Sequence, residues 1–393
     1  MKSVYNDIAR EFFIKRNFLR AIEYQSIHLT MFVDDAEGWL NLGKALTFTE
    51  QFEEAERVLL RSCELAPDRV NYLLDLQVLY TLTSNAEKYV PIVERLKREI
   101  PNEKRLIFNC AWDRIKAGET YEGFADLEVG RQEGFFGSDY TDFKGVRLPS
   151  LEKIKGNKIA IIGEGGLGDE IIASRYASLI KKYDGTPILY VSESLHSILG
   201  HLAKCRKGAD SVNGGKNFSD INNSIEFDYY IPGMASAALF KEIPNEVYLF
   251  AKPEYIEKHK IISDKKKVGI CWHGNTSYEW EQIRGIPKDL MFSLKDDKIE
   301  LFNLQKGETD LQLDSWDDTL GIIANLDCVV SSCTSIVHAA AGMGKRVYLL
   351  TPLAPYYVWT SKEKWYQDVI IFNKDQYNGY AKHIETIRGL ICQ

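Results

Sequence analysis

The chain has 393 residues, 45% hydrophobic and 27% charged, with a formal net charge of −7. That is apolar material for a folded protein of roughly two to three domains at about 150 residues each, and it excludes a disordered chain. The acidic balance argues against nucleic acid and anionic membrane as partners, and no apolar run reaches the roughly 18 residues of a membrane span.

The first third repeats itself. NFLRA (17–21) and QFEEA (51–55) place Phe18 and Phe52, and Ala21 and Ala55, 34 residues apart. Trp39, Leu42, Gly43, Ala55 and Pro67 complete one copy, and Tyr5, Ala9, Phe18 and Ala21 begin the other. This spacing resembles the tetratricopeptide repeat, a helical hairpin in which small residues sit where helices approach and aromatics fill the space between hairpins. Pro67 stops the second helix of its copy. Weaker copies are expected at 72–100 and 105–130, the latter turning at Ala117, Gly118 and Glu119.

From about 157 the period changes. Short apolar strands at 158–163, 187–192 and 227–232 alternate with helical stretches, one of them expected to run unbroken to about 182. A second set begins near 265, with a strand and turn at 266–274 and strands at 300–307, 327–332, 346–352 and 368–373. Strand–helix alternation predicts parallel α/β architecture, here two Rossmann-like units whose ligands lie beyond the carboxyl ends of the strands. The expected boundaries are 1–150 for the repeats, 151–260 for an acceptor-side lobe and 261–393 for a donor-side lobe.

Candidate site residues lie at those strand ends. GEGGLGDE (163–170) misses the GxGxxG register and has no Walker lysine. Gly165, Gly166 and Gly168 are candidates for a phosphate loop, or else permit a tight turn. Asp169 is a candidate general base, or else a helix cap. In SSCTSIVHAAAGMGK (331–345), small residues open a helix whose free N–H groups suit a phosphate. His338 is a candidate diphosphate or ribose contact, or else a core histidine. His273, Gly274 and Asn275 form a polar turn, and Arg284 is a candidate to neutralise a leaving diphosphate. Gln305 and Lys306 end another strand. The Asp-Asp pairs at 34–35, 296–297 and 317–318 read as solvated faces or caps. HExxH, CxxC and GxSxG are absent, which argues against zinc hydrolases and α/β-hydrolases. Seven scattered cysteines and a charged N-terminus without a signal-peptide core point to a reducing, cytoplasmic setting.

KIAIIGEGGLGDE, VGICWHGN, IRGIP, LFNLQKGE, SWDDTLGIIANLDCVVSSCTSIVHAAAGMGKRVYLLTP and the late Trp359, Trp365 and Tyr366 occur in one order. That order resembles bacterial tetratricopeptide proteins ending in a glycosyltransferase family 9 (heptosyltransferase-like) domain, and more distantly the O-GlcNAc transferases. The resemblance implies helical repeats followed by a GT-B fold, and an inverting, metal-independent transfer with no cofactor beyond a nucleotide-sugar co-substrate. It implies that Asp169 is the base, that Thr334, Ser335 and His338 line the donor diphosphate, and that Arg284 and Gln305 match family residues. Cys333 stands where that family has aspartate, and Gly285 where it has serine. The expected partners are a nucleotide sugar, a saccharide or protein acceptor, and a protein held in the repeat groove. The alternatives are a non-catalytic adaptor with a degenerate sugar-nucleotide domain and, less favoured for want of further cleft carboxylates, a nucleotide-sugar epimerase.

Overall fold

The computed structural model describes residues 3–212, 215–275, 281–353, 355–376 and 378–393. They fall into two compact units. One runs from the N-terminus through Asn109. The other takes in Cys110–Gly274, Ile286–Thr351 and Pro355–Gln393, and the segments in between, Asn275–Gly285 among them, group with the first.

The first unit is built of helical hairpins: α1 (Val4–Ile14) with α2 (Phe18–Met31), α3 (Ala36–Phe48) with α4 (Phe52–Leu65), and α5 (Leu73–Leu82) with α6 (Ala86–Glu99). The repeated positions are spent on packing. Ala9, Phe18, Ala21 and Ala55 are buried, and Phe18 stacks on Phe48 at 4.5 Å between ring centroids. A methyl group on Gly43 would overlap Leu59, so glycine is required where α3 meets α4. Trp39 is only half-buried; its indole N–H donates to the Val33 carbonyl at 2.9 Å. Asn17 opens α2 by accepting from the Arg20 N–H at 3.2 Å, and α4 ends at Leu65, two residues before Pro67. A relay runs from the Ser3 hydroxyl to His28 Nδ1 (2.8 Å), and from His28 Nε2 to Asp35 (2.8 Å). His28 is completely buried, which makes the relay a clasp on three helix ends and keeps its imidazole from any substrate.

Helix α7 (Lys104–Ala117) leads through Gly118, at φ +105°, into α8 (Thr120–Leu127). The second unit then builds two parallel sheets. The first lobe comprises β1 (Lys158–Ile162), α9 (Leu167–Ser174), α10 (Ala177–Lys182), β2 (Thr186–Val191), α11 (His196–Leu199), β3 (Lys204–Lys207), β4 (Asp210–Val212), β5 (Gly215–Asn217), α12 (Ser219–Asn223), β6 (Tyr229–Pro232) and α13 (Ser236–Phe240). Helix α14 (Pro253–Lys258) leads into β7 (Lys266–Cys271). There follow in the chain α15 (Glu281–Arg284), which groups with the first unit, and then α16 (Lys288–Phe292), β8 (Ile299–Asn303), α17 (Trp316–Asn325), β9 (Cys328–Ser332), α18 (Ser335–Gly342), β10 (Arg346–Thr351), α19 (Tyr357–Thr360), β11 (Val369–Asn373) and α20 (Ala381–Ile391).

The strand orders are β3-β2-β1-β6 and β11-β10-β9-β7-β8, every neighbouring pair parallel. This is the expected class, helical repeats followed by two Rossmann-like lobes in the manner of a GT-B fold. The buried run Ile159 to Ile162 is what a strand covered on both faces requires. The helix expected to run unbroken to about 182 is interrupted instead. It breaks at Arg175 and Tyr176, where the Tyr176 N–H bonds the carbonyl three residues back, that of Ala173, at 3.1 Å; the Arg175 guanidinium donates to the carbonyls of Pro244 (3.0 Å) and Trp365 (2.5 Å). The polar stretch after β3, which carries no readable period, forms the antiparallel pair β4–β5 and then α12. Among the described residues no helix is long and apolar enough to cross a membrane.

Candidate functional site

Each sheet has a switch point, where the connections leave in opposite directions. In the first it lies at the end of β1, between β2 and β6; in the second it lies between β7 and β9. GEGGLGDE occupies the first. Gly165 has φ +59°, and a methyl group there would overlap the Asp169 carboxylate, so this position needs glycine for its backbone and for its neighbour alike. Asp169 is partly buried. Its Oδ2 accepts from the Gly166 N–H at 2.9 Å, closing the first turn of α9. Its Oδ1 accepts from the Tyr356 hydroxyl at 2.7 Å. Burial pushes the Asp169 carboxyl above its ordinary range, opposed by these two hydrogen bonds and reinforced by Glu170 and Glu164. The loop's Gly166 N–H, expected to face a phosphate, is thus engaged by a carboxylate of the chain itself.

The second switch point gathers three strand ends. Register sets Cys271 beside Ser331 and Ile270 beside Asn303. Gln305 is buried and turned inward: its Oε1 accepts from the N–H groups of Trp272 (3.3 Å) and His273 (3.2 Å). His273 Nε2 lies 3.0 Å from Glu308, which also accepts from Lys288 at 2.9 Å. Thr334 is the residue before α18; its hydroxyl lies 3.2 Å from Ser331 Oγ and 3.8 Å from Cys271 Sγ. Ser335, partly exposed, is the first residue of α18.

The two switch points meet through glycine. A methyl group on Gly168 would stand 3.0 Å from His338 Cδ2 and 3.5 Å from Ser335 Cα, so the opening turns of α9 and α18 are in contact. Two helix N-termini together make a local excess of positive potential. His338 itself is buried, stacked on Trp359 at 5.1 Å and 10°, with Nδ1 2.9 Å from the Tyr366 hydroxyl. Asp169, Gly168, Thr334, Ser335, His338, Gln305 and His273 therefore share one continuous neighbourhood. Asn275 and Arg284 belong to the segment grouped with the first unit, and Arg284 Nε donates to Glu281 at 2.8 Å.

Several contributors carried no sequence signal of their role. Tyr356 reaches Asp169 across 187 residues of chain. Trp359, noted only as part of a late aromatic motif, donates its indole N–H to Cys333 Sγ at 2.9 Å. Glu164 is buried with Arg131 as partner, and it also accepts from the N–H groups of Ser138 (2.8 Å) and Met234 (2.9 Å). Arg175 is caged by the rings of Tyr248, Trp365 and Tyr366.

No family model matches the chain, and no curated protein matches it in sequence. Among solved structures it is similar to YrrB, a TPR protein with an unusual peptide-binding site, at 14% identity over 33% of this chain and 69% of that one, TM-score 0.27. It is similar to a mutant O-GlcNAc transferase of Thermobaculum terrenum at 13% identity over 99% of this chain and 89% of that one, TM-score 0.38. It is also similar to the glycosyl transferase family 9 protein of Veillonella parvula at 9% identity over 56% of this chain and 87% of that one, TM-score 0.40.

Proposed function

We propose that the α/β unit is a glycosyltransferase that moves a sugar from a nucleotide-sugar donor to a hydroxyl-bearing acceptor, with inversion and without a metal. The observation that supports this most is that the Asp169 carboxylate closes the opening turn of α9, and that this turn meets the opening turn of α18 through Gly168, beyond the carboxyl ends of both sheets. In this reading Asp169 takes the acceptor's proton, and the acceptor oxygen forms a bond to the anomeric carbon. The bond from that carbon to the diphosphate breaks on the opposite face, and the departing charge rests at the N-terminus of α18, beside Thr334 and Ser335. Preorganised donors of this kind are each worth roughly 2.7–4 kcal/mol of barrier. Gln305 acts indirectly, by fixing the backbone that carries His273. Asn275 and Arg284 are further candidate donor contacts, to be tested by substitution, and the helical repeats are the candidate holder of a saccharide-bearing or protein acceptor.

A non-catalytic adaptor is the second reading. It is favoured by the two Asp169 oxygens already accepting bonds within the chain. The test is a thermal-shift series with UDP, GDP, ADP, CMP, dTDP and their common sugars on wild type and Asp169→Asn. A ligand confined to the folded state stabilises by roughly 2.7 kcal/mol at a hundredfold excess over its Kd. The transferase reading expects one nucleotide to stabilise both proteins and sugar transfer to occur in wild type alone. Indifference to every nucleotide sinks it in favour of the adaptor.

A further inference from the structure

We infer that Tyr356 is a positioning residue for Asp169, so that the base is assembled from both lobes of the α/β unit; this rests on the reading of Asp169 as the base. Asp169 opens α9 behind the first sheet's central strand, whereas Tyr356 follows β10 of the second sheet. The two donors divide the carboxylate between them, Gly166 N–H on Oδ2 and Tyr356 O–H on Oδ1, at 2.9 and 2.7 Å. One bond to each oxygen fixes the plane of the group. An ionised carboxylate has about four lone-pair sites, so lone pairs stay available for an acceptor hydroxyl. Tyr356 is itself held: its ring meets Tyr357 at 4.4 Å and 62°, and the buried Tyr357 packs edge-on against Phe124, Phe136 and Trp365. The donor thus sits on a rigid aromatic base.

The charged and titratable groups facing Asp169 make this bond matter. From its own loop and helix come Glu164 and Glu170; from the second lobe come Tyr356 and Tyr357, with His338 across Gly168. The two glutamates disfavour a third negative charge, and the Tyr356 hydroxyl is one of two hydrogen bonds that favour it. Tyr356→Phe keeps the ring and its packing but removes that donor.

The test is a pH titration of the chain labelled with carboxyl-13C aspartate, the Asp169 signal being assigned by its loss in Asp169→Asn. The Asp169 midpoint is expected to lie higher in Tyr356→Phe than in wild type. The acid limb of kcat/KM should move the same way, with kcat down roughly tenfold and KM nearly unchanged. Should Tyr356→Phe fold poorly, 3-fluorotyrosine at this position is the second variant: a more acidic phenol donates a stronger bond, and the midpoint should fall. A midpoint unmoved in both, in a chain that still transfers sugar, overturns the inference and leaves the transferase standing. A moved midpoint in a chain that transfers from no donor overturns the transferase reading and the catalytic use of Tyr356 with it.

Discussion

Gly168 and His338 meet where α9 and α18 begin: a methyl group on the glycine would stand 3.0 Å from the imidazole Cδ2. His338 has little room to yield, because its ring lies on Trp359 and Nδ1 is 2.9 Å from the Tyr366 hydroxyl. Alanine at 168 would gain up to about 1 kcal/mol of helix propensity, set against an overpacking cost of about 1–3 kcal/mol. We expect Gly168→Ala to lose about 1 kcal/mol in urea denaturation. That loss should vanish in a His338→Ala background, where the ring is gone. A Gly168→Ala chain as stable as wild type would show that the two helices separate freely.

Gln305 lies two residues beyond the end of β8, and its amide serves the neighbouring strand end. Its Oε1 receives two backbone N–H groups, from Trp272 and His273. Gln305→Leu fills the same volume and leaves both donors without that acceptor. An unsatisfied buried donor costs about 1–3 kcal/mol, and at 3.3 and 3.2 Å these bonds belong at the low end. The expected loss is about 2 kcal/mol, with Gln305→Glu, which keeps an acceptor, losing less. Equal losses in the two variants would mean that packing, not the acceptor oxygen, is what Gln305 supplies.

How much of this was legible in the sequence follows from the range of the interactions. The 34-residue spacing of Phe18 and Phe52 is local, and the structure spends those positions as the repeat requires. The strand runs and the helix starting near Ser335 are local as well. His338 was ambiguous because a helix shows which residues share a face but not what covers that face; the cover turned out to be Trp359 and Tyr366, more than twenty residues further on. Tyr356 was invisible for the same reason, since only the folded chain sets it against Asp169. Gly165 was readable as a turn, but what fills that turn, the Asp169 carboxylate, was not.

Asp318 offers a pH test with a definite sign. It lies in the first turn of α17, where Ser315 accepts from its N–H at 3.1 Å. Against the penalty of burial, hydrogen bonds from Lys258, Ser315 and His259 hold its carboxyl well below the ordinary range. A depressed folded pKa contributes stability that is present above the unfolded value, about 3.9, and is lost as pH falls through the folded one. Asp318→Asn should therefore be less stable than wild type at neutral pH, with the gap narrowing only below about pH 4. A gap that stays constant down to pH 2 would show that the side chain's shape matters and its charge does not.

The buried pair Arg131 and Glu164 should respond asymmetrically to mutation. Glu164 is held on three sides, by the Arg131 guanidinium and by the N–H groups of Ser138 and Met234. Arg131 has a second carboxylate: Glu128 accepts from its Nε and Nη2, each at 2.8 Å. Removing Arg131 strands a buried charge, which costs about 3–5 kcal/mol. Glu164→Gln leaves the arginine paired with Glu128 and keeps one acceptor oxygen; since Ser138 N–H bonds Oε1 and Met234 N–H bonds Oε2, one of these backbone donors loses its partner, an expected cost of about 1–3 kcal/mol. Arg131→Met should therefore be the more damaging change in urea denaturation at neutral pH. The double variant Arg131→Met, Glu164→Met should recover part of the loss, because no charge is then stranded, although Ser138 and Met234 still lack their acceptor. If Glu164→Gln proves as costly as Arg131→Met, the carboxylate's charge is needed beyond its partner, and its nearness to Asp169 becomes the place to look.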